Sequence, residues 1–124
     1  MTMRGMKMRE IEFRCWSHQS NTMQGWEELK EHGDFYRILD MQDKYPMMQY
    51  TGLKDRNGVK IFEGDIIEAL GNTNSGLKVE FKNEYAGGWV LTHPNSSNHL
   101  SLGARKHTEI EVIGNIHQNP ELLK

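Results

Sequence analysis

Alternation of apolar and polar residues is the main pattern in this sequence. In Met8–Trp16, every second position is apolar at Ile11, Phe13 and Cys15. A second run, Leu77–Asn83, repeats the same pattern. A period of two places the apolar side chains of an extended chain on one face and the polar ones on the other. Each run therefore predicts a half-buried β-strand.

Further strands are predicted by runs that are rich in β-branched and aromatic residues. The adjacent Ile66 and Ile67 indicate burial on both faces of their strand, or a bend. Gly114 permits a kink in the last strand. The predicted strands of this kind are 34–41, 47–53, 59–62, 65–70, 89–93 and 108–117.

Turn residues separate these runs. Asp55 and Asn57 accept local backbone hydrogen bonds, and Gly58 supplies a positive φ, so the three predict a hairpin or a wide corner. Short helical turns are predicted at Trp26–Glu31 and after Pro120. Residues 71–76 and 94–107 are interpreted as loops.

Short strands separated by turn signals predict an all-β fold. We expect a small barrel or barrel-like sheet with long loops and little helix, in which the strands after Gly64 form an SH3-like barrel. A length of 124 residues fits one domain. We assign residues 1–7 to a disordered N-terminal extension and residues 8–124 to a single β domain.

The overall charge argues against one class of partner. The chain carries 15 basic and 17 acidic residues, for a formal net charge of −2. Nucleic-acid binders commonly carry a basic excess, because neutralisation of phosphates supplies most of their affinity. The balance of charges therefore disfavours nucleic acid as a partner, although a local basic patch is compatible with this net charge.

Cysteine content and hydropathy indicate the cellular setting. A single cysteine, Cys15, cannot form an internal disulfide. It falls on the apolar face of its strand, where we expect it to act as a small hydrophobic residue. No apolar run approaches the ~20 residues of a membrane span. The expected location is the cytoplasm, away from any membrane.

Four basic residues form the one candidate binding site. They combine with the aromatic Phe81, Tyr85 and Trp89 in a hypothetical groove for single-stranded nucleic acid. The favoured interpretation is a solvated loop beside core aromatic residues. The basic candidates are Lys78, Lys82, Arg105 and Lys106.

Acidic residues and histidines suggest metal or acid–base chemistry only weakly. If Glu63 and Asp65 share one strand face, they could serve a hydrolase. We favour a solvated strand edge for these residues and Glu68, since charged edges discourage aggregation. The spacings of the late histidines match no compact zinc signature. No catalytic residue, metal or cofactor is therefore predicted; the histidines concerned are His93, His99, His107 and His117.

Three stretches resemble the YopX family, which phages and prophages of low-GC Gram-positive bacteria encode. They are MREIEFRCW (8–16), YTGLKDRNGVKIFEGDII (50–67) and IEVIGNIHQNPELL (110–123), in that order along the chain. The resemblance implies a small, mostly β fold and a phage or prophage setting within a bacterial host. It implies no catalytic residue and no ligand.

The sequence leaves three functional hypotheses. The first is a non-enzymatic phage or prophage accessory protein that binds a host or phage protein or assembles with itself into a homo-oligomer. The second is an accessory protein that binds nucleic acid through the four basic candidates. The third and weakest is a metal-dependent hydrolase that uses Asp65, Glu63 and a late histidine.

Overall fold

A computed structural model describes residues 10–31, 35–70, 76–83 and 88–123 of the protein. The predicted extension 1–7 and most of the predicted loop 71–76 lie outside the described residues. Within them, no helix is long and apolar enough to cross a membrane.

The described residues form nine strands, two short α-helices and two 3₁₀ helices. The helices are α1 (Trp26–Glu31) and α2 (Phe35–Leu39), and the 3₁₀ helices are His107–Glu109 and Pro120–Leu123. The strands are β1 (Phe13–Ser17), β2 (Thr22–Gln24), β3 (Met47–Lys54), β4 (Lys60–Phe62), β5 (Asp65–Ala69), β6 (Leu77–Lys82), β7 (Gly88–His93), β8 (Ser96–Ser101) and β9 (Ile110–Asn115).

Two antiparallel sheets make up the fold. One has the order β2-β1-β3-β4, and the other, formed by the strands after Gly64, has the order β8-β7-β6-β5-β9. The sheets curl into a half-barrel, so the predicted all-β, barrel-like fold is confirmed. The main core cluster lies mostly on the five-stranded sheet and comprises Ile61, Ile67, Ala69, Leu77, Val79, Leu91, Leu102 and Ile110.

The double burial predicted for β5 is confirmed. Ile66 and Ile67 are both fully buried. Opposite them the register of β9 shifts, because Ile66 pairs with Gly114 whereas Ile67 pairs with Val112. The extra residue on β9 marks a β-bulge, which bends a strand and increases its twist. A Cβ atom at Gly114 would lie 2.5 Å from Oδ1 of Asn119, so any other residue there would force the Asn119 side chain to move.

Two predicted segments differ from the structure. Residues 34–41 were expected to be a strand, but α2 occupies Phe35–Leu39 and a turn follows it, in which Met41 N donates to Ile38 O. Residues 94–107 were expected to be loop, but β8 pairs with β7. Both predictions were wrong because the intrinsic preference of five or six residues for one secondary structure is weak, and contacts in the folded protein override that preference.

Candidate functional site

A groove with cationic residues on its walls lies between the end of β3 and the segment that precedes β9. Its volume is about 430 Å³. We call it the cationic groove, and its lining residues are Leu53, Lys54, Leu102, Arg105, Lys106, His107, Thr108 and Ile110.

The hairpin between β3 and β4 forms the first wall, and it is tied to β9. The Oδ2 atom of Asp55 accepts a hydrogen bond of 2.9 Å from the backbone N–H of Val112. The next residue, Arg56, donates its backbone N–H to the carbonyl oxygen of Ile110 over 3.1 Å. Gly58 has a φ of +78°, which confirms the predicted turn. Lys54 is therefore held beside the loop that precedes β9.

Backbone hydrogen bonds also hold the second wall. Leu102, which is fully buried, donates its N–H to Trp89 O, and Arg105 donates to Leu102 O. At the other end, Glu109 N donates to Lys106 O over 2.9 Å. Arg105 and Lys106 thus project from a stretch of chain that is fixed before and after them.

The basic side chains of the groove lack counterions within the described part of the chain. Lys54, Arg105 and Lys106 form no ion pair with a described residue. The nearby carboxylate of Glu111 is bonded instead to Arg56 at 2.7 Å and to Asn57 at 3.2 Å. The groove is therefore a local concentration of positive charge on a protein whose formal net charge is −2.

The four basic residues predicted from the sequence do not line one pocket. Arg105 and Lys106 line the cationic groove together with Lys54, which sequence reasoning missed. Lys78 instead lines a separate cavity of about 210 Å³, and its Nζ atom lies 3.2 Å from Glu80 Oε1. Lys82 ends β6 and does not belong to the lining of the groove. No sequence signal connects Lys54 with a loop fifty positions away.

Two of the three aromatic residues proposed as stacking platforms, Phe81 and Trp89, also lie outside the cationic groove. Phe81 and Trp89 form an edge-to-face pair with ring centroids 5.3 Å apart. Trp89 packs against the core cluster, as expected of a core anchor, while Phe81 keeps 48% of its surface exposed. Tyr85 lies outside the described residues.

Asp65 is not the solvated edge residue that the sequence suggested. It is only 2% exposed, and its Oδ1 atom accepts a 2.7 Å hydrogen bond from Arg14, whose side chain is 14% exposed. Its Oδ2 atom accepts the backbone N–H of Phe62 at 2.8 Å. Burial raises the pKa of Asp65 above its ordinary value, although the positive charge of Arg14 opposes the shift. Both carboxylate oxygens are therefore already bonded inside the protein.

Glu63 and Glu68 do not join Asp65 in an acidic cluster. Glu63 precedes Gly64, whose φ of +84° makes a turn, so Glu63 lies outside β5 and does not share a strand face with Asp65, the arrangement that the hydrolase hypothesis requires. Glu68 is exposed on β5. No group of three or more metal-ligating side chains occurs within residues 10–31, 35–70, 76–83 and 88–123.

A half-buried histidine, His117, lies close to the Arg14–Asp65 pair. The ring of His117 stacks on Trp16 with centroids 5.5 Å apart and an interplanar angle of 5°. His18 meets His117 edge-on at 5.8 Å. The Nε2 atom of His117 is buried without a hydrogen-bond partner among the described residues. Burial, followed by the charges of His18 and Arg14, lowers the pKa of His117.

Cys15 has the environment expected of a small hydrophobic residue. It is fully buried, and its Sγ atom contacts Gln24 Oε1 at 3.6 Å. Burial raises the pKa of the thiol, which disfavours the reactive thiolate.

One of the two outer strands of the five-stranded sheet, β8, is a second candidate surface. Among the described strands, β8 has only β7 as a neighbour. Its sequence, SSNHLS, contains no lysine, arginine, aspartate, glutamate or proline. Natural sheets commonly use charges and proline to protect an edge strand from pairing with other chains. The composition of β8 lacks these protective features.

Comparison with known proteins agrees with an all-β half-barrel. A family model described as YopX protein matches residues 4–124, and the chain belongs to the YopX family. The chain is also similar to a solved structure, the crystal structure of protein EF1440 from Enterococcus faecalis, with a TM-score of 0.59 and 22% identity over 94% of this chain and 100% of that chain. That likeness concerns the fold alone. No curated protein matches this chain.

Proposed function

We propose that this protein is a non-enzymatic accessory protein of a phage or prophage that acts in the cytoplasm of the bacterial host. In this proposal the outer edge of β8 binds a host or phage protein, or a second copy of the chain. The observation that carries the proposal is the outermost position of β8 in a sheet, together with a sequence free of charged residues and proline.

The physical basis is strand addition. An edge strand presents backbone N–H and C=O groups that another extended chain can pair with, and side chains at alternate positions then supply specificity. The non-enzymatic part is supported by Asp65, because Arg14 and Phe62 occupy both oxygens of the carboxylate that a hydrolase would need.

Substitutions that add positive charge to β8 test the proposal. Ser97 and Ser101 are exposed on β8, so the double variant Ser97→Lys/Ser101→Lys adds two charges to the edge without removing a core contact. The control, Ser20→Lys/Gln42→Lys, adds the same charge at two exposed positions outside the strands. We expect the β8 variant to lose concentration-dependent self-association in light scattering, or to lose partners that the wild type and the control capture from host lysate.

The two variants should share the circular dichroism spectrum and the melting temperature of the wild type. A role for this edge would be contradicted if the wild type and the β8 variant had the same mass in light scattering and captured the same set of proteins from host lysate.

A further inference from the structure

The floor of the cationic groove is aliphatic and rigid. Leu102 and Ile110 belong to the buried core cluster, so the packed interior holds them in place. Leu53 is different, because 37% of its surface remains exposed beside them. An apolar side chain from a partner could cover this surface and remove it from water.

The rim of the groove is cationic from both sides. Lys54 comes from the hairpin wall, and Arg105 and Lys106 come from the opposite wall. Since none of the three forms an ion pair with a described residue, a carboxylate could bind them without breaking an existing pair. Hydrogen bonds between such cations and carboxylates are stronger than neutral ones.

The lining distinguishes between two kinds of anionic partner. Proteins that bind single-stranded nucleic acid combine basic residues with aromatic platforms on which the bases stack. Among the described residues that line the groove, none is a phenylalanine, tyrosine or tryptophan. A floor of leucine and isoleucine under a cationic rim instead complements a peptide that carries both carboxylates and aliphatic side chains.

We propose that the cationic groove binds an acidic segment of a partner protein, with an aliphatic side chain against Leu53 and carboxylates against Lys54, Arg105 and Lys106. This site is distinct from the β8 edge, since no residue of β8 lines it.

Fluorescence anisotropy with defined probes tests the site. The probe is a labelled peptide in which glutamates flank two leucines. A second peptide has serine in place of leucine, and a third has lysine in place of glutamate. A labelled single-stranded oligothymidylate represents nucleic acid. We expect the glutamate–leucine peptide to bind the wild type most tightly, and added salt to weaken the complex.

Matched variants locate the binding. Arg105→Ser/Lys106→Ser should weaken peptide binding by roughly tenfold or more, because charge-assisted hydrogen bonds are lost. Arg37→Ser/Lys44→Ser removes the same charges at exposed positions outside the groove and should leave binding unchanged. Leu53→Ser should weaken the leucine-containing peptide selectively.

Three results would overturn the proposal. The first is equal peptide affinity for the wild type and the Arg105→Ser/Lys106→Ser variant, with both folded. The second is an absence of binding by the wild type at millimolar peptide. The third is tighter binding of the oligothymidylate, which would assign the groove to nucleic acid. None of these results bears on the β8 edge, because the probes do not depend on it.

Discussion

Asp55 and Val112 lie 57 positions apart, yet the Asp55 carboxylate accepts the Val112 backbone N–H at 2.9 Å. The same carboxylate accepts the N–H groups of Asn57 and Val59 inside its own turn. Burial opposes ionisation of Asp55, but these three backbone hydrogen bonds hold its pKa below the ordinary value. One side chain therefore shapes the β3–β4 hairpin and attaches it to β9, which sets the first wall of the cationic groove.

Asp55→Ala should destabilise the protein strongly, because three backbone N–H groups lose their acceptor. Leaving a buried donor unsatisfied costs about 1–3 kcal/mol, so we expect at least that loss in the free energy of unfolding. Urea unfolding at pH 7 measures it. Asp43→Ala, at an exposed turn residue, is the control and should change stability by about 0.5 kcal/mol or less. Equal stability of the two variants would show that the Asp55 hydrogen bonds do not hold the corner.

Arg14→Leu should be costly because it leaves the Asp65 carboxylate buried without its cation. Removal of one partner from a buried pair typically costs about 3–5 kcal/mol. Arg14→Leu/Asp65→Asn should recover part of that loss, since the new amide is neutral and its oxygen can still accept the Phe62 N–H. Thermal and urea unfolding compare the two variants.

The exposed pair of Lys30 and Glu27, at 3.1 Å, provides the control for Arg14. Lys30→Leu should change stability by about 1 kcal/mol or less, because surface pairs are screened by water. A double variant less stable than Arg14→Leu alone would refute the view that an unpaired buried charge causes the loss.

Gly58→Val should cost about 1–3 kcal/mol, because a β-branched residue is strained at a φ of +78°. Apart from Gly58 and its two chain neighbours, no described residue has an atom within 4 Å of a Cβ placed at Gly58, so the strain comes from the backbone and not from a clash. Gly103→Val is the matched control, since it has equally open space without a positive φ. Melting temperatures compare the variants, and equal losses at both positions would exclude the backbone explanation.

His117 should make stability fall as the pH drops below about 7. Its pKa is lowered in the folded protein, mainly by burial, from an ordinary value of 6.5. The unfolded chain therefore binds a proton more readily, so stability is complete above the unfolded pKa and decreases as the pH falls through 6.5 toward the folded value. Asp55, whose pKa is also lowered, affects stability only at a lower pH, below its ordinary pKa of 3.8.

His117→Phe keeps a ring against Trp16 but cannot be protonated. Between pH 7 and pH 5 it should lose less stability than the wild type, as measured by urea unfolding at each pH. His107→Gln, at an exposed position of the cationic groove, should retain the pH dependence of the wild type. If the free energy of unfolding changed equally with pH in the wild type and in His117→Phe, the pH dependence would belong to other groups.

Local pattern was sufficient for much of the fold. Alternation at Leu77–Asn83 predicted β6, and the adjacent Ile66 and Ile67 predicted burial on both faces of β5. Asp55 and Gly58 predicted the turn, since the side-chain acceptor and the positive φ both act within five residues. The physical reason is that strand period and turn chemistry depend on near neighbours along the chain.

Contacts between distant residues decided the rest. The sequence placed Arg14 on a polar face and Asp65 at an edge, but the two residues, 51 positions apart, form an ion pair in which Asp65 is buried and Arg14 is partly buried. Likewise, the sequence of β8 predicts a loop, and the segment is a strand because it pairs with β7. Lys54 lines the same groove as Arg105 because Asp55 links the β3–β4 hairpin to β9 by a hydrogen bond. By itself the sequence determined which segments extend and where they turn. Only the tertiary structure decided which polar groups are buried and which cations share a groove, because burial and local charge are properties of neighbours in space.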